Sequence, residues 1–254
     1  MSVEVHYELE GPEDAPVLVL SNSLGTTLEM WDDQAEVLRE RFRLVRYDYR
    51  GHDGSPVPPG PYTIDDLGGD VLALLDRLGI DRFSFCGLSI GGMVGMWVAS
   101  EVPGRVERLV LCCTSALLGP KESWTERAKT AREHGVAVME EMVLERWFTP
   151  RFRREHPEKV EKVGRMLRET PAEGYAGCCE AIREMDLRGR LGRIKAPTLV
   201  IAAADDPSTP PEHGEAIRDA IPDARMIVVE DSAHLVNIEH PEEVTRAIME
   251  HLTS

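Results

Sequence analysis

Apolar residues along this chain follow two periods, one typical of strands and one typical of helices. Short runs of consecutive apolar residues, which indicate strands covered on both faces, recur between segments whose apolar residues lie three or four positions apart. The predicted strands are residues 3–9, 17–21, 42–48, 83–87, 108–113, 197–203 and 225–229. The predicted helices are residues 28–38 and 64–78, a segment from residue 90, 212–221 and 241–252. This order predicts an α/β fold with a mostly parallel central sheet and helices on both faces.

The alternation of strands and helices stops once, in the middle of the chain. From about residue 120 to residue 193 the pattern is charged and helical, without a strand candidate. Breaks in it fall near Pro150, Pro157, Pro171 and Gly189. We therefore expect a core domain made of residues 1–119 and 194–254, and a helical cap (lid) inserted between them as residues 120–193.

The charge of the chain is strongly negative and unevenly spread. The 254 residues carry a net charge of −16, which repels phosphate backbones and anionic lipid and argues against nucleic-acid or membrane partners. No apolar run is long enough to cross a bilayer. Residues 121–193 hold 16 Lys+Arg against 14 Asp+Glu, so this segment carries about +2 and the rest about −18. Solvated helices of mixed charge are the plain explanation of this difference.

The five cysteines indicate a reducing compartment. Their number is odd and no C-x-x-C occurs, so they are predicted to be small buried apolar residues, not a disulfide framework or a zinc site. The first residues lack the basic and apolar segments of a secretory signal. We expect a cytoplasmic protein, and the sequence implies no metal and no organic cofactor.

A glycine–serine motif lies between the fourth predicted strand and the helix after it. Gly87 and Gly91 stand two residues on either side of Ser89, which gives the pattern G-x-S-x-G. Such a serine sits on a tight strand-to-helix turn, where a side chain at either glycine would crowd the backbone. The helix directs its first N–H groups toward the place where negative charge develops on a substrate oxygen. The motif predicts a nucleophile at Ser89; an ordinary glycine-rich turn is the alternative.

Two further candidates follow the last two predicted strands. Asp205 and Asp206 come after the sixth strand, and His234 comes after the seventh. A neutral imidazole takes the proton of a serine hydroxyl, and a carboxylate orients that imidazole and stabilises its charge. The chain order serine, aspartate, histidine is that of the α/β-hydrolase triad. Ser89, Asp206 and His234 are the predicted catalytic residues, with Asp205 as competitor for the acid and plain turn or surface residues as the alternative.

An oxyanion hole is predicted from two backbone N–H groups. One belongs to Ile90, directly after the serine, and the other to the loop after the second strand, where Leu24 is the expected donor. An ordinary turn of asparagine, serine and glycine is the alternative for this loop.

Seven segments together carry a resemblance to a known family. They are Asn22-Ser23-Leu24-Gly25, Tyr47-Asp48, Arg50-Gly51-His52, Gly87-Leu88-Ser89-Ile90-Gly91-Gly92, Trp147-Phe148-Thr149, Gly174-Tyr175-Ala176-Gly177-Cys178-Cys179-Glu180-Ala181-Ile182 and His234-Leu235-Val236-Asn237-Ile238-Glu239-His240-Pro241. They resemble the 3-oxoadipate enol-lactonases, α/β-hydrolases of bacterial aromatic catabolism, over essentially the whole chain. The resemblance implies the α/β-hydrolase fold and favours Asp206 over Asp205, because Thr209-Pro210 follows at the spacing of the family's acid loop. Three residues depart from the family pattern: Tyr49, Asp53 and Ala203.

The resemblance also implies a substrate and a product. The substrate is a five-membered enol-lactone with a carboxymethyl arm, and the product is 3-oxoadipate, an intermediate of the β-ketoadipate pathway. Because this small-molecule substrate is an anion, arginines of the insertion are expected to bind its carboxylate, and Trp124 and Trp147 to form an apolar wall. The candidate arginines are Arg127, Arg132, Arg146, Arg151 and Arg153.

Other functions fit parts of the same pattern. A carboxylesterase, a perhydrolase or a carbon–carbon bond hydrolase has the same triad, and a ligand receptor built on a hydrolase fold retains it with slow turnover. A haloalkane dehalogenase requires an aspartate at position 89 and is excluded by Ser89. A dinucleotide-binding protein is disfavoured because no G-x-G-x-x-G follows the early strands.

Overall fold

Seven strands form one sheet in the computed structural model, which describes residues 2–254, so that residue 1 of the predicted core lies outside it. The strands are β1 (Tyr7–Glu10), β2 (Val17–Ser21), β3 (Arg43–Tyr47), β4 (Phe83–Leu88), β5 (Val106–Cys112), β6 (Thr198–Ala203) and β7 (Ala224–Val229). Their spatial order is β1-β3-β2-β4-β5-β6-β7. Only the β1–β3 pair is antiparallel. The predicted α/β fold with a mostly parallel sheet is confirmed.

Eleven helices accompany these strands within the described residues. They are α1 (Asp32–Leu38), α2 (Ile64–Arg77), α3 (Ile90–Glu101), α4 (Lys121–His134), α5 (Glu140–Trp147), α6 (Pro150–Glu155), α7 (Pro157–Glu169), α8 (Ala172–Glu184), α9 (Pro211–Ala220), α10 (Val236–Glu239) and α11 (Pro241–Thr253). Helix α3 packs against β4 and β5 and is buried along nearly its whole length, whereas α1 packs against α11. None of the helices in residues 2–254 is both long and apolar enough to cross a membrane.

The strand order reverses at β2, and this reversal positions the candidate site. β2 pairs with β3 on one side and with β4 on the other, and Ser21 lies opposite Gly87 in the register. The loops that leave β2 and β4 therefore begin side by side at the carboxyl edge of the sheet. In open α/β sheets a ligand binds at such a reversal.

The segment between β5 and β6 consists of the five helices α4 to α8, without a strand. Helices α6 and α7 begin at Pro150 and Pro157, where a proline needs no partner for its missing N–H. Helix α8 lies directly on the loop after β3, because a Cβ added to Gly174 would come within 1.9 Å of the Gly51 carbonyl oxygen. The glycine in the Gly-Tyr-Ala segment is therefore required by backbone contact between the insertion and the core.

Two predicted elements differ clearly from the structure, and one short helix has no counterpart among the predicted elements. β1 begins at Tyr7, not at residue 3, because the backbone N–H groups of Val3 and His6 donate to the side chains of Asp70 and Ser55. The predicted helix 28–38 consists of a 3₁₀ turn, Leu28–Trp31, followed by α1. The short helix α10 was not predicted from the sequence.

Candidate active site

Ser89 sits on a strained turn that only its glycine neighbours permit. Its backbone has φ 60° and ψ −119°, in the left-handed half of conformational space. A Cβ added to Gly87 would lie 2.2 Å from the Gly91 carbonyl oxygen, and one added to Gly91 would lie 2.3 Å from that of Ser21. Ser89 precedes α3 without capping it by a side-chain hydrogen bond, so its hydroxyl is left for other partners.

The carboxylate of Asp206 and the imidazole of His234 form a buried pair. His234 Nδ1 donates to Asp206 Oδ2 over 2.7 Å, and the Thr209 hydroxyl donates to the same oxygen over 2.7 Å. The other oxygen accepts the backbone N–H of Ser208 at 2.7 Å. Burial alone would raise the pKa of Asp206, but the charge of His234 and these hydrogen bonds hold it below its ordinary value. Asp205, the competitor for the acid position, is exposed and has no such contact with His234.

Both neighbours of His234 are attached to the insertion. Glu239 Oε2 accepts the backbone N–H of Ala233 at 2.5 Å, while its Oε1 accepts the backbone N–H and the hydroxyl of Thr149 at 2.8 and 2.9 Å. On the other side, Leu235 N–H donates to the Trp147 carbonyl at 3.0 Å. Burial raises the pKa of Glu239. Glu239 belongs to one of the segments that carry the family resemblance, but the sequence alone predicts no role for it.

Three contacts with the end of β3 and the segment after it fix the loop after β2. Asn22 Nδ2 donates to the Tyr47 carbonyl at 2.8 Å, Gly25 N–H donates to His52 Nε2 at 3.0 Å, and Leu28 N–H donates to Asp48 Oδ1 at 2.7 Å. Burial lowers the pKa of His52 to about 4 and raises that of Asp48 to about 6. These contacts explain why Asp48 and His52 belong to the motifs that the sequence presents.

Two of the departures from the family pattern have a structural explanation. Tyr49 is buried, and its hydroxyl lies 2.5 Å from the Ser21 hydroxyl, which is also 2.7 Å from that of Tyr47. This cluster of three hydroxyls lies at the end of β2, so the buried hydroxyl of Tyr49 has a hydrogen-bond partner there. Asp53 has φ 39°, a conformation that aspartate tolerates better than most residues. Ala203 is the buried last residue of β6.

A cavity of about 740 Å³ opens above these residues. Ser89, His234 and Leu24 contribute to its wall, as do Trp124, Arg127, Arg146 and Trp147 of the insertion. Ile90 is fully buried at the start of α3. Most of the predicted site residues therefore share one cavity.

The arginines of the insertion differ in their partners. Arg127 is half-buried in the cavity wall, donates from Nε to the Tyr175 hydroxyl at 2.6 Å, and lies 5.3 Å from the ring centres of Trp124 and Tyr175. Within residues 2–254 it has no carboxylate partner. Arg132 does not reach the cavity, because it is paired with Glu173 and Glu180.

The other three arginines are exposed or already paired. Arg146 lines the cavity from an exposed position, whereas Arg151 and Arg153 pair with glutamates of the insertion. Arg127 is therefore the half-buried guanidinium of this wall that has no carboxylate partner within the described chain.

The hydroxyl of Ser23 is a polar group that sequence reasoning missed. Ser23 lines the cavity beside Leu24, is 1% exposed, and its Oγ is among the buried side-chain atoms without a hydrogen-bond partner in the described residues. Buried hydroxyls are normally satisfied, so this one is available to a bound molecule.

One group of side chains in residues 2–254 has the spacing of a metal site, namely His6, Asp48 and Asp53. His6 Nδ1 lies 2.8 Å from Asp48 Oδ2, and the other oxygen of Asp48 accepts the Leu28 N–H. Because His6 and Asp48 already bond to each other and Asp48 also accepts the Leu28 N–H, the group is explained as part of the support of the loop after β2.

Comparison with known proteins agrees with this architecture. Residues 16–241 match the family described as alpha/beta hydrolase fold, and with the seven-stranded sheet this match defines the chain as an alpha/beta hydrolase. 3-Oxoadipate enol-lactonase 2 of Acinetobacter baylyi is 42% identical over 97% of this chain and 92% of its own length. 3-Oxoadipate enol-lactonase 1 of the same organism is 37% identical over 92% of this chain and 88% of its own length.

A solved structure gives the same result. The enol-lactonase from Burkholderia xenovorans LB400 superposes with a TM-score of 0.97 at 42% identity, and the match covers 99% of this chain and 97% of that one. The chain belongs to the 3-oxoadipate enol-lactonase family.

Proposed function

We propose that this protein hydrolyses 3-oxoadipate enol-lactone to 3-oxoadipate through an acyl-enzyme on Ser89. One observation carries the proposal: a strained serine and the histidine of a buried aspartate–histidine pair border the same cavity as a half-buried guanidinium without a carboxylate partner. The first two supply the chemistry of ester cleavage, and the third suits a substrate that is an anion. The identity with named enol-lactonases supports the choice of lactone.

In the first step Ser89 Oγ attacks the ring carbonyl while His234 takes its proton. Asp206 holds the Nδ1–H of His234, so that Nε2 is the basic nitrogen, and its charge stabilises the imidazolium. The N–H groups of Leu24 and Ile90 bind the oxyanion. The ring C–O bond then breaks, and the enol oxygen leaves with the proton from His234.

In the second step water releases the acyl group. The enol of the acyl-enzyme tautomerises to a ketone, which removes the nucleophile that would re-close the ring. His234 then takes a proton from water while the hydroxide attacks the acyl carbon. The bond between the acyl carbon and Ser89 Oγ breaks, and His234 gives its proton to Ser89. The products of the whole cycle are 3-oxoadipate and the unmodified enzyme.

Arg127 is proposed to bind the carboxylate of the substrate. Its Nε is held by Tyr175 and its plane lies near two aromatic rings, so the remaining N–H groups are pre-oriented for an anion. Trp124 and Trp147 are proposed as the apolar wall beside the ring. We further propose that the enzyme works in the cytoplasm, which suits its five buried free cysteines.

The test is hydrolysis of freshly generated enol-lactone beside a panel of neutral p-nitrophenyl esters. We expect the lactone to be the better substrate and Ser89→Ala to lose at least about 10³-fold in kcat. Arg127→Met should raise KM for the lactone about 10- to 100-fold, since a charge-assisted hydrogen bond is lost. Arg132→Met, on the same helix but outside the cavity, is the matched control. Faster cleavage of the neutral esters, or full activity of Ser89→Ala, would overturn the proposal.

A further inference from the structure

The cavity is larger than the lactone that we propose it binds. The enol-lactone has about ten non-hydrogen atoms, whereas cavities of roughly 300–1,000 Å³ take drug-sized ligands. At about 740 Å³ this cavity belongs to the latter class. With the lactone bound, a large part of the cavity stays open to other groups.

Four apolar side chains form one part of the wall toward solvent, beside the exposed and charged side chain of Arg146. Leu118, Val138, Met139 and Met142 line the same cavity as Ser89. Val138 is 61% exposed and Met142 is 50% exposed, so these two side chains mark its mouth. Methionine adapts its shape to different apolar ligands, and exposed apolar side chains grouped at a cavity mark a binding surface.

The wall toward the core is charged. Arg127 is half-buried and bonded to the hydroxyl of Tyr175, whose ring lies 3.0 Å from the position that a Cβ on Gly25 would occupy. The guanidinium is thus held on the side of the loop that carries Leu24. A ligand that uses the whole cavity therefore needs a carboxylate at its inner end and an apolar group at its outer end.

We propose that this cavity also binds monoesters of dicarboxylic acids with an apolar alcohol, and that the enzyme hydrolyses them. The proposal rests on the roles assigned above to Ser89, His234 and Arg127. The acyl part lies with its free carboxylate at Arg127, and the alcohol part lies against the apolar outer wall formed by Leu118, Val138, Met139 and Met142.

The reaction is an ordinary ester cleavage. Ser89 Oγ bonds to the ester carbonyl carbon, the C–O bond to the alcohol breaks, and the alcohol leaves with the proton that His234 took from Ser89. Water then adds its hydroxyl group to the acyl carbon and returns its proton to Ser89. The products are the dicarboxylic acid and the free alcohol.

The same geometry disfavours a neutral ester of equal length. Its apolar acyl end would displace water from Arg127 without replacing the lost hydrogen bonds. We expect kcat/KM for mono-4-nitrophenyl adipate to exceed that for 4-nitrophenyl hexanoate by at least about tenfold. Arg127→Met should remove this preference, whereas Arg132→Met should retain it.

The outer wall is tested separately, with monoalkyl adipates from methyl to hexyl. Each added methylene should raise kcat/KM by up to about fourfold while it contacts the wall. The double variant Val138→Ser, Met142→Ser should flatten this series, because both side chains lie at the mouth of the cavity. Val37→Ser, an exposed valine on α1, is the matched control.

The outcomes separate this inference from the proposed function. If the lactone is hydrolysed but adipate monoesters show no preference over hexanoate and no dependence on alcohol length, the inference is wrong and the proposed function stands. If the monoesters show both dependences but the lactone is inert, the second subsite is supported and the lactonase assignment is wrong.

Discussion

At the scale of single residues, the neutral imidazole of His52 determines the shape of the loop that carries Leu24. Gly25 N–H requires an acceptor, and His52 Nε2 is an acceptor only while the ring is unprotonated. Burial keeps the ring unprotonated, because burial lowers the pKa of His52 to about 4. Leu24 directly precedes Gly25, so the direction of the Leu24 N–H depends on the hydrogen bond between Gly25 and His52.

His52→Phe is expected to lower kcat about 10- to 100-fold with little change in KM. The variant leaves the Gly25 N–H without a partner, and a misdirected oxyanion donor weakens binding of the transition state more than that of the substrate. The measurement is steady-state kinetics on the enol-lactone, with thermal unfolding of both proteins as a check of folding. His52→Gln, which offers an amide oxygen, should recover part of the activity; a Gln variant as slow as the Phe variant would contradict a positioning role.

The sequence predicts which arginines are candidates for binding the substrate, but it does not predict the partners of their side chains in the fold. Arg127 and Arg132 lie five positions apart on one helix and were equal candidates. Only the fold separates them, because Glu173 and Glu180 of α8 neutralise Arg132 while Arg127 meets a tyrosine. The partners come from sequence positions about fifty residues away, and no local pattern contains that information.

At the scale of elements, α10 and the start of α6 meet at Glu239. This carboxylate accepts hydrogen bonds from Ala233, directly before His234, and from Thr149 of the insertion. The insertion therefore fixes the loop that holds His234 as well as covering the cavity. Periodicity missed α10 because a four-residue helix contains too few apolar positions to show a period.

Glu239→Leu is expected to lower kcat by about tenfold or more and to raise KM, because both the histidine loop and the cap segment lose their shared partner. Glu239→Gln retains one acceptor oxygen, so its kcat and KM should lie between those of Glu239→Leu and those of the parent protein. The measurement is the split between kcat and KM, together with the low-field NMR signal of the His234 Nδ1 proton. An unchanged signal and an unchanged kcat in Glu239→Leu would show that the contact is only structural.

At the scale of the whole molecule, the uneven charge of the sequence corresponds to a contact between insertion and core. Lys159 of α7 pairs with Asp33 at 2.7 Å, Lys162 pairs with Asp32, and Arg165 pairs with Glu29 at 3.1 Å. Such partly exposed pairs contribute about 0–1 kcal/mol each, so they set the orientation of α7 more than its stability. The sequence showed the charge difference but not this pairing across more than 120 positions.

Two buried groups, Asp48 and His52, have opposite effects on the way stability changes with pH. The folded-state pKa of Asp48 is raised to about 6, so the folded protein binds the extra proton and its stability falls as pH rises from about 4 to 6. The pKa of His52 is lowered to about 4, so the unfolded chain binds the extra proton and stability rises as pH rises from about 4 to 6.5. Each effect is about 3 kcal/mol, and together they nearly cancel.

Asp48→Asn is expected to remove one of these effects and leave the other. Asparagine still accepts the Leu28 N–H and has the same shape, but it takes no charge at neutral pH. The variant should match the parent protein near pH 4 and become more stable by up to about 3 kcal/mol near pH 7, measured by urea unfolding across that range. A difference in stability between Asp48→Asn and the parent that is the same at every pH would contradict this prediction. It would mean that the carboxyl at position 48 has the same pKa in the folded and unfolded chain, so that burying its charge does not destabilise the fold.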